Sequence, residues 1–283
     1  ISNNKIDAIQ KTTKMILKNI INVFLIISFF IMIAGWSAYF KQKYGLPILL
    51  TSGIMGILLY ITFLNNIERI MKISSFIVPI LIIIIIYISI KNIVPSNILQ
   101  DNESTAPLWY VILNAILYCS YNSIMLIPIL ISVSNTLKDT RTIKIVTIIT
   151  TAILLILSFI IFQILNLAKF DINSVEMPIL EILSKSGTQE YLYSIVVVIA
   201  IFTTAVSAGY GFLENIKNKN KYKKISALIC ILGVPISYLG FGKLISIMYP
   251  LFGAIGLYQI ILIFKKYSIA KNAKNWYNHI RDS

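Results

Sequence analysis

The chain has 283 residues, is 57% hydrophobic and only 13% charged, and carries a formal net charge of +14 with two cysteines and one histidine. Soluble domains carry charge at about a quarter of their positions, so this composition excludes a water-soluble globule and points to lipid as the solvent. It also excludes two other classes: Lys and Arg flank apolar stretches instead of sharing one polar surface, which argues against nucleic acid, and His279 stands far from any cysteine cluster, which argues against a metal site.

A bilayer core about 30 Å thick needs roughly 20 apolar residues per helix. On that criterion the sequence predicts an all-α integral membrane protein of about eight transmembrane helices. In chain order the spans are Ile16–Phe40, Pro47–Leu64, Ser74–Ile90, Leu108–Val133, Ile143–Leu165, Tyr191–Leu213, Ile225–Leu239 and Leu244–Phe264. The first is too long for a signal-peptide core and lacks a small-residue cleavage site after it. The start at Ile1 instead of Met suggests sequence upstream. Ahead of the first span, Lys5–Met15 places Ile6 and Ile9 on one face among lysines and suits an interfacial helix. Before the sixth span, Met177–Ser186 is too short to cross and reads as a surface or re-entrant helix, a plain loop being the alternative. Asp171, Glu176, Glu181 and Glu190 in that loop read as solvated. A tight turn at Gly240 and Gly242 separates the last two spans. Trp36 and Tyr39 are expected in an interfacial aromatic belt, Cys119 and Cys230 as small buried hydrophobes, and Gly253 and Gly256 as points of close helix approach.

Eight spans sort the basic residues into nineteen on the side of both termini and six on the other. Because cytoplasmic loops are enriched in Lys and Arg, both termini and the lysine run Asn215–Lys224 are expected in the cytoplasm. For a bacterial chain that means the inner membrane. The lysine run reads as a solvated loop obeying this bias, with anionic lipid headgroups as an alternative partner.

No span has a charged residue near its centre, so a charge relay or voltage sensor is not expected. A functional site must use neutral polar groups and backbone. Two clusters qualify. Cys119-Ser120-Tyr121-Asn122-Ser123 lies mid-span, with Pro128 freeing the carbonyl of Ile124. An amide in hydrocarbon needs partners for both its halves, so Ser120, Tyr121 and Asn122 are candidate contacts to a small polar ligand; interhelical hydrogen bonding is the plainer reading. In Thr203-Thr204-Ala205-Val206-Ser207-Ala208-Gly209, Thr203 and Ser207 share a helix face. With Thr204 they supply hydroxyl oxygens suited to a hard cation such as Na⁺, against back-bonding to the preceding turn or small-residue packing. No phosphate-cradling loop, Gly-x-Ser-x-Gly, histidine pair or intramembrane carboxylate pair is present, so an enzyme is not expected and no cofactor is implied beyond Na⁺ as a coupling ion.

Several of these motifs together resemble YkvI-type bacterial membrane proteins, distant relatives of the amino acid–polyamine–organocation transporter superfamily with the LeuT-type fold. They are Ile33-Ala34-Gly35-Trp36-Ser37-Ala38, Val78-Pro79, Ser120-Tyr121-Asn122, Glu176-Met177-Pro178 and Thr203-Thr204-Ala205-Val206-Ser207. That fold has two inverted five-helix repeats. The resemblance implies a single transmembrane domain in which residues 1–95 hold the last three helices of the first repeat. Residues 107–266 then hold the second repeat, and 267–283 a cytoplasmic tail. The first two helices, which supply half of the solute and cation sites, have no counterpart. The fourth span would be the repeat's discontinuous helix, although it lacks a glycine at the break. Lys5–Met15 would be the inverted counterpart of Met177–Ser186. The implied function is a secondary transporter, or the remnant of one, for a small organic solute such as an amino acid, cation-coupled and working by alternating access. Ser120, Tyr121 and Asn122 would contact solute, and Thr203, Thr204 and Ser207 would hold Na⁺. The alternative is a non-transporting receptor or sensor on the same scaffold, similar to a germinant-receptor subunit and dependent on protein partners.

Overall fold

A computed structural model describes the chain except for Ile1, Asn66, residues 92–105 and 134–138, Asn215, Lys217 and residues 282–283. Side chains are described outside 2–18, 67–76, 125–133, Thr140, Asn173 and 266–281 as well. The described residues are mostly helical, with no strand among them. The helices are α1 (Ser2–Tyr44), α2 (Ile48–Leu64), α3 (Ile67–Lys91), α4 (Leu108–Val133), α5 (Thr140–Leu165), α6 (Pro178–Ile182), α7 (Thr188–Leu213), α8 (Lys219–Ser237) and α9 (Phe241–Arg281). Each of the eight predicted spans falls on one of the long helices. Four segments are long and apolar enough by themselves to cross a bilayer: Asn19–Tyr44, Arg141–Leu165, Thr188–Leu213 and Phe241–Lys265. The chain is thus a multi-pass helical membrane protein, and the exposed faces of α5, with Ile148 68% and Leu155 67% accessible, suit contact with lipid.

Helix ends follow local chemistry. Gly45, at φ 66°, ends α1, and Pro47 then opens α2; the left-handed region suits glycine because it has no Cβ. Gly240, at φ 86°, makes the expected turn between α8 and α9. Asp139 starts α5 by accepting the amide protons of Thr142 at 3.0 Å and Arg141 at 3.2 Å. These bonds, that of Thr142 foremost, hold its carboxyl below the ordinary aspartate range. Asn218 caps α8 through Asn220 and Lys221.

Two helices run further than the hydropathy predicts. No Pro or Gly lies between Lys5 and Gly35, and the backbone of Lys5–Met15 continues into α1 without a break instead of forming a separate interfacial helix; the side chains that would define its apolar face lie outside the described residues. Residues 267–281, expected as a tail, likewise extend α9. Neither stretch contains a helix breaker, and propagation adds one hydrogen bond per residue once a helix is nucleated.

The chain divides into two compact units, a larger one of Ile1–Asn102 and Lys144–Leu244 and a smaller one of Glu103–Ile143 and Ile245–Ser283. In the larger unit α7 packs on α1, α2 and α3, and α8 packs on α1 and α2. Phe29, Ile33 and Trp36 on α1, Met55, Leu59 and Phe63 on α2, and Ala205, Val206 and Ala208 on α7 form one core. Trp36 and Tyr39 belong to this core, only 8% and 2% exposed, and not to an interfacial belt. Their spacing from Phe29 and Ile33 places Trp36 on the packed stripe. Hydrophobic burial gives helices no net attraction in lipid, so close packing must supply it. Gly209 and Gly233 show this: an added Cβ would lie 2.5 Å from Phe63 Cζ and 2.2 Å from Ile33 Cδ1. The segment expected as a short helix is α6, and it is not a loop. Its flanking Met177 and Leu183, with Leu180, are buried.

In the smaller unit α4 and α9 approach through backbone. A Cβ on Gly253 would meet Leu117 O at 2.7 Å, and one on Gly256 would meet Ser120 O at 2.0 Å. The expectation of close approach at both glycines holds. Because both numbers rise together along the two helices, α4 and α9 run parallel. Cys230 is buried as expected, but Cys119 is exposed, one residue off the Ser120 face that meets α9.

Candidate functional site

The structure places the predicted clusters on α4 and α7, in the smaller and the larger unit respectively. On α4 the helix runs unbroken through residues 119–124, in contrast to the discontinuous helix that the resemblance implied. Its polar side chains bond to their own turn: Ser120 Oγ donates to Ile116 O at 2.7 Å, Ser123 Oγ to Ser120 O at 2.7 Å, and Asn122 Nδ2 to Tyr118 O at 2.8 Å. Ser120 is buried where Gly256 meets it, and Asn122 is exposed. The Tyr121 ring lies 4.5 Å from that of Tyr249 on α9, and Tyr118 flanks the same ring at 5.7 Å. One amide proton of Asn122 is spent on the helix, which leaves its other proton and its carbonyl oxygen facing outward.

On α7, Thr203, Thr204 and Ser207 are half-buried beside the packed residues Ala205, Val206 and Ala208. Thr203 Oγ1 donates to Ile199 O at 2.8 Å and lies 3.2 Å from Ala200 O, the back-bonding considered above. Such a bond consumes the hydroxyl proton but not the oxygen lone pairs. The oxygen of Thr203 therefore remains an acceptor, which is what a hard cation requires.

Two features escape the sequence reading. The first is Gln259 on α9, 4% exposed, with neither Nε2 nor Oε1 hydrogen-bonded among the described residues. It stands one turn beyond Gly256, so it shares the helix face that meets Ser120 and Ile124. Its signal was available as the lone amide of the apolar span Leu244–Phe264, one turn after Gly256.

The second is the end of the larger unit that carries α6. There Asp171, Glu176 and Glu181 are exposed, as expected, and the loop is also tied down by hydrogen bonds. Glu176 Oε2 accepts from Gly242 N at 2.5 Å. Gln42 holds the backbone of Met177 from both sides, donating to its carbonyl at 3.2 Å and accepting from its amide at 3.0 Å, and it also donates to Glu181 at 3.3 Å. Lys43 pairs with Glu190 at 3.2 Å and bonds to Ser194. The Gly242 amide is available to Glu176 because α9 begins at Phe241 and its first amides have no partner within the helix. Together they brace a cavity of about 460 Å³ between α1, the loop before α6, and the α8–α9 turn.

No family model matches the chain, and no solved structure matches it. It is 26% identical over 256 residues to the uncharacterized membrane protein YkvI of Bacillus subtilis (strain 168), an alignment covering 84% of this chain and 71% of YkvI. It is 24% identical over 245 residues to the uncharacterized protein YyaD of the same organism, covering 82% and 69%. The short motifs that suggested a YkvI-type relationship thus belong to a similarity that runs through more than four-fifths of this helical membrane chain.

Proposed function

We propose that this protein is a secondary transporter, or the remnant of one, for a small organic solute such as an amino acid. It sits in the bacterial inner membrane with both termini cytoplasmic, on a LeuT-like inverted-repeat scaffold. Ser120, Tyr121 and Asn122 contact the solute. Thr203, Thr204 and Ser207 supply oxygens to a coupling Na⁺, and alternating access moves the load. What supports this reading best is Gln259. A buried amide left unpaired costs roughly 1–3 kcal/mol, and it lies on the α9 face packed against Ser120. A solute with its own donor and acceptor offsets that cost where a purely structural helix contact would not. The absence of charge from the α4 and α7 clusters fits a site for a neutral or zwitterionic load.

The test is uptake of radiolabelled amino acids into proteoliposomes with a sodium gradient, against a choline control. Saturable uptake is expected, lowered by Asn122→Leu and by Gln259→Leu, with Thr204→Ala shifting its sodium dependence. Thermal stabilisation by an amino acid with no uptake assigns the receptor reading instead.

A further inference from the structure

We propose that the cavity at the α6 end of the larger unit is a binding site for a small α-amino acid with an apolar side chain, separate from the clusters on α4 and α7. None of Thr203, Thr204 and Ser207 lines it. Its volume, about 460 Å³, lies within the usual 300–1,000 Å³ range of small-molecule sites.

The chemistry of the wall identifies the ligand. Ser37 Oγ donates to Ile33 O at 3.2 Å and Ser237 Oγ to Val234 O at 2.6 Å. With their protons spent inside their own helices, both lining hydroxyls offer oxygen lone pairs. Glu176 adds a carboxylate, one oxygen of which is engaged by Gly242 N. Three acceptors, one of them charged, suit an ammonium group. Lys41 also lines the cavity; it is exposed and forms no ion pair among the described residues. It complements a carboxylate. Between them Ala34, Ala38, Ile48 and Phe241 present apolar surface. A molecule with an ammonium, a carboxylate and a compact apolar side chain meets all three. The site is preorganised: Gln42 fixes the loop at Met177, and Gly35 lets Phe241 lie where a Cβ would be 2.9 Å from its ring. A rigid wall spares the ligand the entropy of ordering it. The inference stands whether or not the protein transports, since it concerns binding alone.

The experiment is equilibrium binding to the full chain in nanodiscs. The probes are L-alanine, L-valine and L-leucine, with isoamylamine and 4-methylpentanoate as leucine analogues lacking one charge. At least one amino acid is expected to bind, and both analogues more weakly than leucine. Lys41→Gln should weaken the amino acid about fivefold, as befits an exposed ion pair, and leave isoamylamine unchanged. Ser37→Ala should weaken the amino acid and isoamylamine alike. It keeps the helix intact and serves where Glu176→Gln disturbs the turn at Gly242. In an Asn122→Leu background, which removes a contact proposed on α4, amino-acid binding should persist and remain sensitive to Lys41→Gln. Binding lost in Asn122→Leu but unchanged in Lys41→Gln puts the ligand at α4 and overturns the cavity proposal while sparing the transport reading. No binding by any of the three amino acids overturns the cavity proposal outright, because uptake is measured separately.

Discussion

The two compact units are built on different contacts. The larger unit has a side-chain core in which Phe29, Phe63 and Ile33 fill sockets left by Gly209 and Gly233. The smaller unit has backbone against backbone at Gly253 and Gly256, tyrosines around Tyr249, and at Gln259 a buried amide with no hydrogen-bond partner among the described residues. A side-chain core tolerates small errors because rings and methyls can move. A backbone contact cannot, since the atom met is part of a helix. The polar cost at Gln259 stands on the helix face that meets Ser120, one of the residues proposed to contact solute, a pattern expected where stability is exchanged for function.

The largest effect that separates the units is expected at Gly256. Gly256→Leu drives a Cβ to 2.0 Å from Ser120 O, and we expect a loss of about 3 kcal/mol, at or above the usual upper end for overpacking, in denaturant unfolding of the reconstituted protein. Gly209→Ala meets only ring edges at 2.5 and 2.8 Å, and roughly 1–2 kcal/mol is expected there. Equal losses at both glycines would erase the distinction between the two packing modes. Gln259→Leu should change sign: stability rises by about 1–2 kcal/mol as the unpaired amide is removed, while uptake falls. A destabilised Gln259→Leu protein would show that the amide is satisfied. Glu190→Gln removes the partner of Lys43 in the larger unit, a pair whose side chains are 15% and 23% exposed, and a loss of about 1 kcal/mol is expected. The smallest effect concerns Asp139. Its folded carboxyl titrates below its unfolded value, so its contribution to the start of α5 is present above the unfolded value and lost as pH falls through the folded one. The protection factors of the Arg141 and Thr142 amides, with the intrinsic pH dependence of exchange divided out, should fall on acidification in the native protein and stay constant in Asp139→Asn.

The segmentation was legible from local composition. Eight apolar stretches, the Gly240 turn, the short helix at Pro178 and the close approach at Gly253 and Gly256 all followed from hydropathy, backbone sterics and residue size. The location of the polar clusters on α4 and α7 was legible too, because Ser, Thr and Asn stand out against aliphatic neighbours. Trp36 and Tyr39 misled because aromatic residues near a span end suit both a belt and a core, and only their neighbours decide.

By itself, then, the sequence determined that this is a helical membrane protein, where its helices lie, and which of them carry neutral polar groups. Each follows from interactions within a few residues or from the transfer of a whole segment into lipid. The tertiary structure alone decided that Glu176 meets Gly242, 66 positions away, that Gln42 meets Met177, 135 positions away, and that Gln259 is buried with no hydrogen-bond partner among the described residues. Those facts depend on which helix faces meet. Hydropathy is nearly silent on that, because in lipid an apolar face costs as little exposed as it does packed.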